Sequence, residues 1–573
     1  INFVMMDEIP NAHRTELEPS SIDPNTFYVV ANVGNQANIY KTTDEFTTRT
    51  TLPEPNDADL GIPASDYTRG QAFYDLPIEV DANDNIFVGG IDLFRSTNGG
   101  TTWEQISKWS NNPNLNTLSV PFVHADQHAI VFRPGTGNQN QALLGTDGGV
   151  YFSPNLLQNT SSLSITSRNK DYNTIQFYYG TIDPTGAANG DDLFGGTQDN
   201  GTQFLVNGSA GSNSFFDPVG GDGAYTEIDD SGQYMIQTYT GNSHRHINYP
   251  TISTAYNVAS RSGGDFINQA ELDKNLDILY SNSSTSSTNR IERNANILNG
   301  AGAIVRTQLT NSLLTQRPSA FKISPYTTTS SKLMVGLRNG RLIRIDNADV
   351  SPTFNLLHDF VGSISDIEFG LTEDEIFVTI HNYGVPSVWF SNDGGANWTD
   401  IEGNLPDMPV KCILQNPLLP QELIIGTELG VWSTRDYTAP NVSWGPSYNG
   451  MSDVTVLDLD LRESDNLILA ATHGRGFFTS QFTSVPLGIE TIETPQPFTV
   501  APTIASTSIS VYAKENLANT NLVIYNLSGQ KVRTHNWDGS QTTIPISSFS
   551  RGRYLLGLEK ENTPIASTKF IKQ

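Results

Sequence analysis

The feature that most constrains this chain is a recurring unit of short strands. An apolar strand leads into a turn rich in Pro, Asn, Asp and Gly. A second apolar strand follows, then a glycine, then a strand ending in Ser or Thr. Copies begin at Glu16 (ELEPSSIDPNTFYVVANVGNQANIYKTTD), Pro77 (PIEVDANDNIFVGGIDLFRSTNGG) and His128 (HAIVFRPGTGNQNQALLGTDGGVYFSPN). Others begin at Tyr178, Ala320, Ile364, Val410 and Leu457. The spacing of roughly 40–60 residues, with several short strands per unit, is the signature of blades that cannot bury both faces alone. About eight units are legible, and an irregular stretch around residues 225–315 has room for another. Helical periodicity is scarce. The expectation is an all-β chain, with a seven- or eight-bladed β-propeller over residues 1–483.

Composition sharpens the class. The chain has 573 residues, long enough for more than one domain. Only 16% are charged and 37% hydrophobic, so Gly, Asn, Ser and Thr fill a soluble, turn-rich β protein. Lys and Arg number 33 against 60 Asp and Glu, a net charge of -27. That field disfavours nucleic acid and anionic membrane surfaces. It is compatible with Ca²⁺ or another divalent cation, and equally with a solvated acidic surface. The single cysteine, Cys412, rules out a disulfide within the chain and reads as a small core residue in VKCIL. The chain starts at Ile1 without Met, which suggests a processed or truncated start. No apolar run approaches the ~18–20 residues of a membrane-spanning helix.

Two units end in a sharper motif: STNGGTTW, Ser96 to Trp103, and SNDGGANW, Ser391 to Trp398. Asn98 and Asp393 are placed to accept backbone N–H bonds inside a hairpin turn, and Gly100 and Gly395 can take positive φ. Trp103 and Trp398 would plug the gap between strands. Looser versions stand at KTTDEF and STRDY. This pattern resembles the Asp box of BNR-repeat propellers, the group that includes sortilin-type proteins and family 74 glycoside hydrolases. The resemblance implies a propeller and a structural role for Ser96, Asn98, Gly100, Trp103, Ser391, Asp393, Gly395 and Trp398. It carries the fold and no catalytic residue.

After ATHGRGFFTSQF the pattern stops. Residues 484–497, SVPLGIETIETPQP, read as a linker. Short alternating strands then follow in TSISVYAKE, TNLVIYNLSGQKVRTHNW, TTIPISSFSRGRYLLGLEK and STKFIKQ. This tail, residues 498–573, resembles the C-terminal sorting domain (type A) of type IX secretion cargo from Bacteroidetes. The resemblance implies a small Ig-like β-sandwich, partnership with the type IX translocon and a sortase, and a secreted or outer-membrane surface location. An ordinary accessory or sugar-binding module is the alternative.

Four polar stretches beside glycines are candidates for a ligand face. In VHADQHAIVF, strand alternation would put His124, Asp126 and His128 on one face. Such a row needs water, a metal or a ligand. Successive members stand ~6.5–7 Å apart, so one strand alone cannot ligate a metal. The competing reading is a polar plug. GGTQDNG offers Gln198, Asp199 and Asn200. GGDGAY offers Asp222 and Tyr225, and THGRG offers His473 and Arg475. A glycoside hydrolase needs two carboxyl groups ~5–5.5 Å apart for retention or ~6.5–9.5 Å for inversion. Asp126, Asp199 and Asp222 are the natural pool. A polysaccharide lyase would use His124 or His128 as base, with Tyr225 or Arg475 at a uronate. A sialidase is disfavoured, because no early Arg-Ile-Pro motif occurs. DANDN (Asp81 to Asn85) and IDDSG (Ile228 to Gly232) are either hairpin turns or Ca²⁺ loops.

The expected function is therefore a secreted or surface propeller that acts on or binds extracellular polysaccharide. The alternative is a non-catalytic adhesion or interaction propeller in a surface assembly.

Overall fold

The computed structural model describes residues 5–573 apart from 136, 159–160, 162–163, 187–189, 218, 260–262, 448–449, 452, 485–496, 514–519, 527–529, 538, 540 and 561–562. Most of the expected linker lies outside the described residues. The chain is all-β and divides into two compact units, residues 1–487 and 488–573. Among the described residues no helix is long and apolar enough to cross a membrane.

The first unit is a succession of antiparallel sheets, most of them four-stranded, each built from consecutive strands. Three sheets cover Ala12–Leu52, Ile78–Gln105 and Gln127–Ser167, and seven more run from Thr181 to Gln481. The eight units read from the sequence thus understate the number of sheets. The irregular stretch holds two of them, Thr226–Ala259 and Ala270–Leu309. Their strands HRHIN and IERNA put polar side chains where the other units have apolar ones, which hid the repeat.

Each apolar cluster of the first unit is a layer between two neighbouring sheets. Leu333, Val335 and Ile343 meet Tyr280 and Ile291 of the sheet before, while Met334 and Leu342 meet Ile364 and Val378 of the sheet after. Strands such as Leu333–Leu337, Ile376–Ile380 and Leu423–Thr427 are buried throughout, because a neighbour covers each face. The seven sheets close on themselves. Ile182, Leu193 and Leu205 of the first of them pack on Leu467 and Leu469 of the last. This cyclic arrangement is propeller-like. The three preceding sheets share two such layers, around Val88 and Leu144. No apolar layer of this kind joins the third sheet to the ring among the described residues.

The innermost strands carry charge in the middle of apolar patterns. Gly180 N–H donates to Asp458 Oδ2 (3.0 Å), and Ile182 N–H to Asp460 Oδ2 (2.8 Å). Ile323 N–H donates to Glu271 Oε1 (3.0 Å), and Ile413 N–H to Asp366 Oδ2 (3.0 Å). In each case the carboxylate of one sheet accepts from the backbone of the next. Lys322 Nζ lies 2.6 Å from Glu368, and Lys274 Nζ lies 2.8 Å from Glu227. Glu227, Glu271, Lys322, Asp366, Glu368, Asp458 and Asp460 line a cavity of ≈ 310 Å³. Burial raises Asp366 to about 8 and Asp458 to about 7. The inner acids therefore work as fasteners between sheets.

Both sharp turn motifs fold alike. Ser96 Oγ accepts Gly100 N–H (2.9 Å) and Asn98 Oδ1 accepts Thr102 N–H (2.9 Å). Ser391 Oγ accepts Gly395 N–H (2.9 Å) and Asp393 Oδ1 accepts Asn397 N–H (2.8 Å). KTTDEF repeats this arrangement: Thr42 Oγ1 accepts from Phe46 and Asp44 Oδ1 from Thr48. STRDY does not, since Asp436 accepts from Thr438 two residues on. Asp81 accepts the N–H groups of Asn83 and Asn85, and Asp229 that of Ser231, so both candidate Ca²⁺ loops are hairpin turns capped by their own aspartates.

In the second unit, a three-stranded and a five-stranded sheet share one core, including Ile509, Val511, Leu522, Leu556 and Phe570. One pairing in it, Ile504–Ala505 with Ile571–Lys572, is parallel.

Candidate functional site

Where the three leading sheets meet the ring, the contact is polar. Asn200 Nδ2 donates to the backbone carbonyl of Asp147 (2.9 Å). Carboxylate oxygens of Asp126, Asp147 and Asp199 lie within 4.8 Å of one another. Asp126 and Asp147 come from the third sheet, and Asp199 from a turn in the ring's first sheet.

The expected strand alternation across HADQH does not occur. The strand begins at Gln127, and Asp126 sits in the left-handed region at φ 61°. Asp tolerates that conformation better than most residues. The turn still brings Asp126 and His128 against Asp147. His128 Nε2 lies 2.7 Å from Asp147 Oδ1, and the Tyr74 hydroxyl donates to the same oxygen (2.9 Å). The Tyr74 and His128 rings meet edge to face at 4.7 Å. Gln71 Nε2 donates to Asp126 Oδ1 (3.2 Å). A Cβ on Gly148 would fall 2.3 Å from the His124 ring, so glycine there lets His124 lie against the Asp147 turn.

Two glycine-rich segments hold Asp199 against Asp222. Gly201 N–H donates to Gly221 O (2.6 Å), and Gly223 N–H to Thr197 O (2.7 Å). The backbones approach so closely that a Cβ on Gly223 would stand 2.4 Å from Gly201 O. Asp222 Oδ1 then accepts the N–H of Asp199 (3.1 Å). The Tyr178 hydroxyl donates to Gln198 Oε1, and its ring packs on His473 at 5.3 Å. His473 is delivered by an isolated bridge to Gln176.

The sequence candidates thus separate. Asp126, His124, His128, Gln198, Asp199, Asn200, Asp222 and His473 join one polar cluster through these contacts. Tyr225 is 4% exposed in the core, its hydroxyl accepting Leu272 N–H (3.0 Å). Arg475 turns to the carbonyls of Asn173 and Gly474. The reading missed Gln71, Tyr74, Asp75 and Asp147. TDGG is a short turn between the strands Ala142–Thr146 and Gly149–Ser153, and FYD lies in the connection between the first two sheets, outside any repeat.

Crowding of like charge in a desolvated pocket raises the carboxyls. Burial, then Asp147, pushes Asp126 to about 6, against the pull of His124, Gln71 and His128. Burial, then Asp147 and Asp222, pushes Asp199 to about 8. Asp199 is thus more readily protonated than Asp126.

Comparison with known proteins resolves the tail. Residues 495–573 match the secretion system C-terminal sorting domain. The match fixes the location: the protein is secreted or at the cell surface of a Bacteroidetes bacterium, and its sorting domain engages the type IX secretion machinery. No curated protein matches the chain. Among solved structures, it is similar to PorZ, an essential bacterial surface component of the type-IX secretion system of human oral-microbiomic Porphyromonas gingivalis. Identity is 11%, the match covers 95% of this chain and 80% of that one, and the TM-score is 0.41. At that similarity no residue role transfers between them.

Proposed function

We propose that this exported protein binds an extracellular polysaccharide at the polar cluster around Asp126, Asp147 and Asp199. The seven-sheet ring is read as a seven-bladed propeller of the Asp-box type, and the tail as an Ig-like domain removed by a sortase after export. The observation that carries the proposal is the pairing of rings with polar groups. Half-buried Tyr74–His128 and Tyr178–His473 flank three carboxyls and the amides of Gln71, Gln198 and Asn200. Rings supply flat apolar faces for sugar C–H groups, and carboxyls and amides take hydroxyls.

Cleavage is a second reading, favoured by Asp199. A protonated carboxyl beside a charged one is the arrangement a glycosidase uses. Nearest oxygens within 4.8 Å fit the close pair of a retaining enzyme better than the wide pair of an inverting one.

The test is calorimetric binding and product release by the full chain across plant, algal and microbial polysaccharides. Tyr178→Ala and Tyr74→Ala should each weaken binding about five-fold, since stacking contributes of the order of 1 kcal/mol per ring. Release abolished by Asp199→Asn would make the protein an enzyme. Binding to none of the polymers would overturn the proposal in favour of an interaction propeller within a surface assembly.

A further inference from the structure

The same three carboxylates raise a separate question, which concerns what neutralises them. Behind Tyr74 lies Asp75, 0% exposed, with neither carboxylate oxygen hydrogen-bonded. The like charges acting on it are first Asp126, then Asp147 and Asp66. Asp66 is satisfied by the N–H groups of Thr68 and Gly70 and by the Thr68 hydroxyl. Asp75 has no such partners. A fully buried, unpartnered carboxyl is costly and needs a compensating charge or a proton.

Asp147 carries the second sign. Its Oδ1 takes both His128 Nε2 and the Tyr74 hydroxyl, while its Oδ2 is buried without a partner. One oxygen is thus held by donors and the other left free beside Asp126 and Asp199. That is how ligating carboxylates are oriented by the groups behind them. Two oxygens bound to one Ca²⁺ at about 2.4 Å can stand no more than about 4.8 Å apart. The mutual separation of these three carboxylates meets that limit. The set is all oxygen, which selects a hard cation over Zn²⁺ or Cu²⁺.

We infer that Asp126, Asp147 and Asp199 form a Ca²⁺ site. His128 and Tyr74 are positioning residues that fix Asp147. The ion would cancel the mutual repulsion of the acids and offer open coordination positions to sugar hydroxyls or a uronate. The inference deepens the polysaccharide reading because it concerns the same pocket. It is tested without any polysaccharide, so the two fail separately.

The experiment uses the full chain stripped with EDTA and then titrated with CaCl₂ alone. Binding is followed by calorimetry and by Tyr-sensitised Tb³⁺ emission, since the Tyr74 hydroxyl touches a proposed ligand. The expected result is saturable Ca²⁺ binding that displaces Tb³⁺, raises Tm, and weakens at least ten-fold in both Asp126→Asn and Asp199→Asn. Asp81→Asn and Asp229→Asn, in the hairpin turns, should leave it unchanged. Far-ultraviolet circular dichroism establishes that each variant is folded. No saturable binding, or binding that survives both pocket variants, overturns the inference. Ca²⁺ bound at these residues while no polysaccharide binds supports it and overturns the polysaccharide proposal alone.

Discussion

Nε2 of His128 lies 2.7 Å from Oδ1 of Asp147, joining the first strand of the third sheet to the turn two strands on. The His128 side chain is 32% exposed and that of Asp147 11%, and neither belongs to an apolar layer. The value of the pair lies in orientation more than in stability.

His128→Gln should therefore change stability by only about 0–1 kcal/mol, as for other partly exposed pairs. Ligand affinity at the pocket should fall several-fold, because Asp147 loses its main anchor. Thermal melts beside calorimetric titrations check this. A large fall in Tm with unchanged binding would reverse the assignment.

Gly223→Ala tests the lacing behind Asp199. The new methyl would meet Gly201 O at 2.4 Å and Thr197 N at 2.9 Å, backbone atoms on both sides. The segments must move apart, at a cost of about 1–3 kcal/mol. The Asp199 N–H···Asp222 bond should weaken with them. Denaturant midpoints and affinity at the cluster should both drop, whereas Gly302→Ala, with open space around it and no left-handed backbone, should disturb neither.

Lys322→Met addresses the ring's centre. Lys322 faces Glu368 at 2.6 Å and also opposes Glu271 and Asp366. Removing it leaves clustered carboxylates with less compensation, a loss of about 3 kcal/mol or more. The double variant Lys322→Met with Glu368→Leu should recover part of that loss. Equal melting temperatures for wild type and Lys322→Met would remove the fastening role.

The pH response of His244 has a definite sign. Its ring is buried between Thr238 Oγ1 (2.8 Å) and Asn242 Oδ1 (3.0 Å), and burial lowers its pKa from 6.5 to about 3. Between those values the unfolded chain binds a proton that the folded ring refuses. The contribution is whole above pH 6.5 and is lost as pH falls toward 3, by about 1.4 kcal/mol per unit. His244→Gln, compared with wild type at pH 7 and pH 4.5, should flatten this component of the stability–pH curve. An unchanged difference between the two pH values would show that His244 plays no part in it.

Much of the chain is legible before any coordinates. The sheets of the first unit are local: each is three or four consecutive strands joined by turns, so strand periodicity and Gly, Asn and Asp in the turns suffice to place most of them. The turn motifs at Ser96 and Ser391 close within four residues, and the sequence spells out their donors and acceptors. The tail's strands and export address are local in the same sense. Where a unit carries polar strands, as at His244–Asn248, the hydrophobic pattern that marks a sheet is gone, and two sheets went uncounted.

The sequence alone determined an all-β, sheet-repeating, exported chain, and it named Asp126 and Asp199 as candidates. Tertiary structure decided that seven sheets close while three stand before them. Closure is a contact between Ile182 and Leu469, hundreds of residues apart, and no local pattern encodes it. It also decided that Asp147, an ordinary turn residue by its neighbours, is the hub of the pocket. A carboxylate's chemistry depends on the charges and donors within a few ångströms. Here Tyr74, the pair Asp126 and His128, and Asp199 come from three separate segments, and only the packed chain sets them around it.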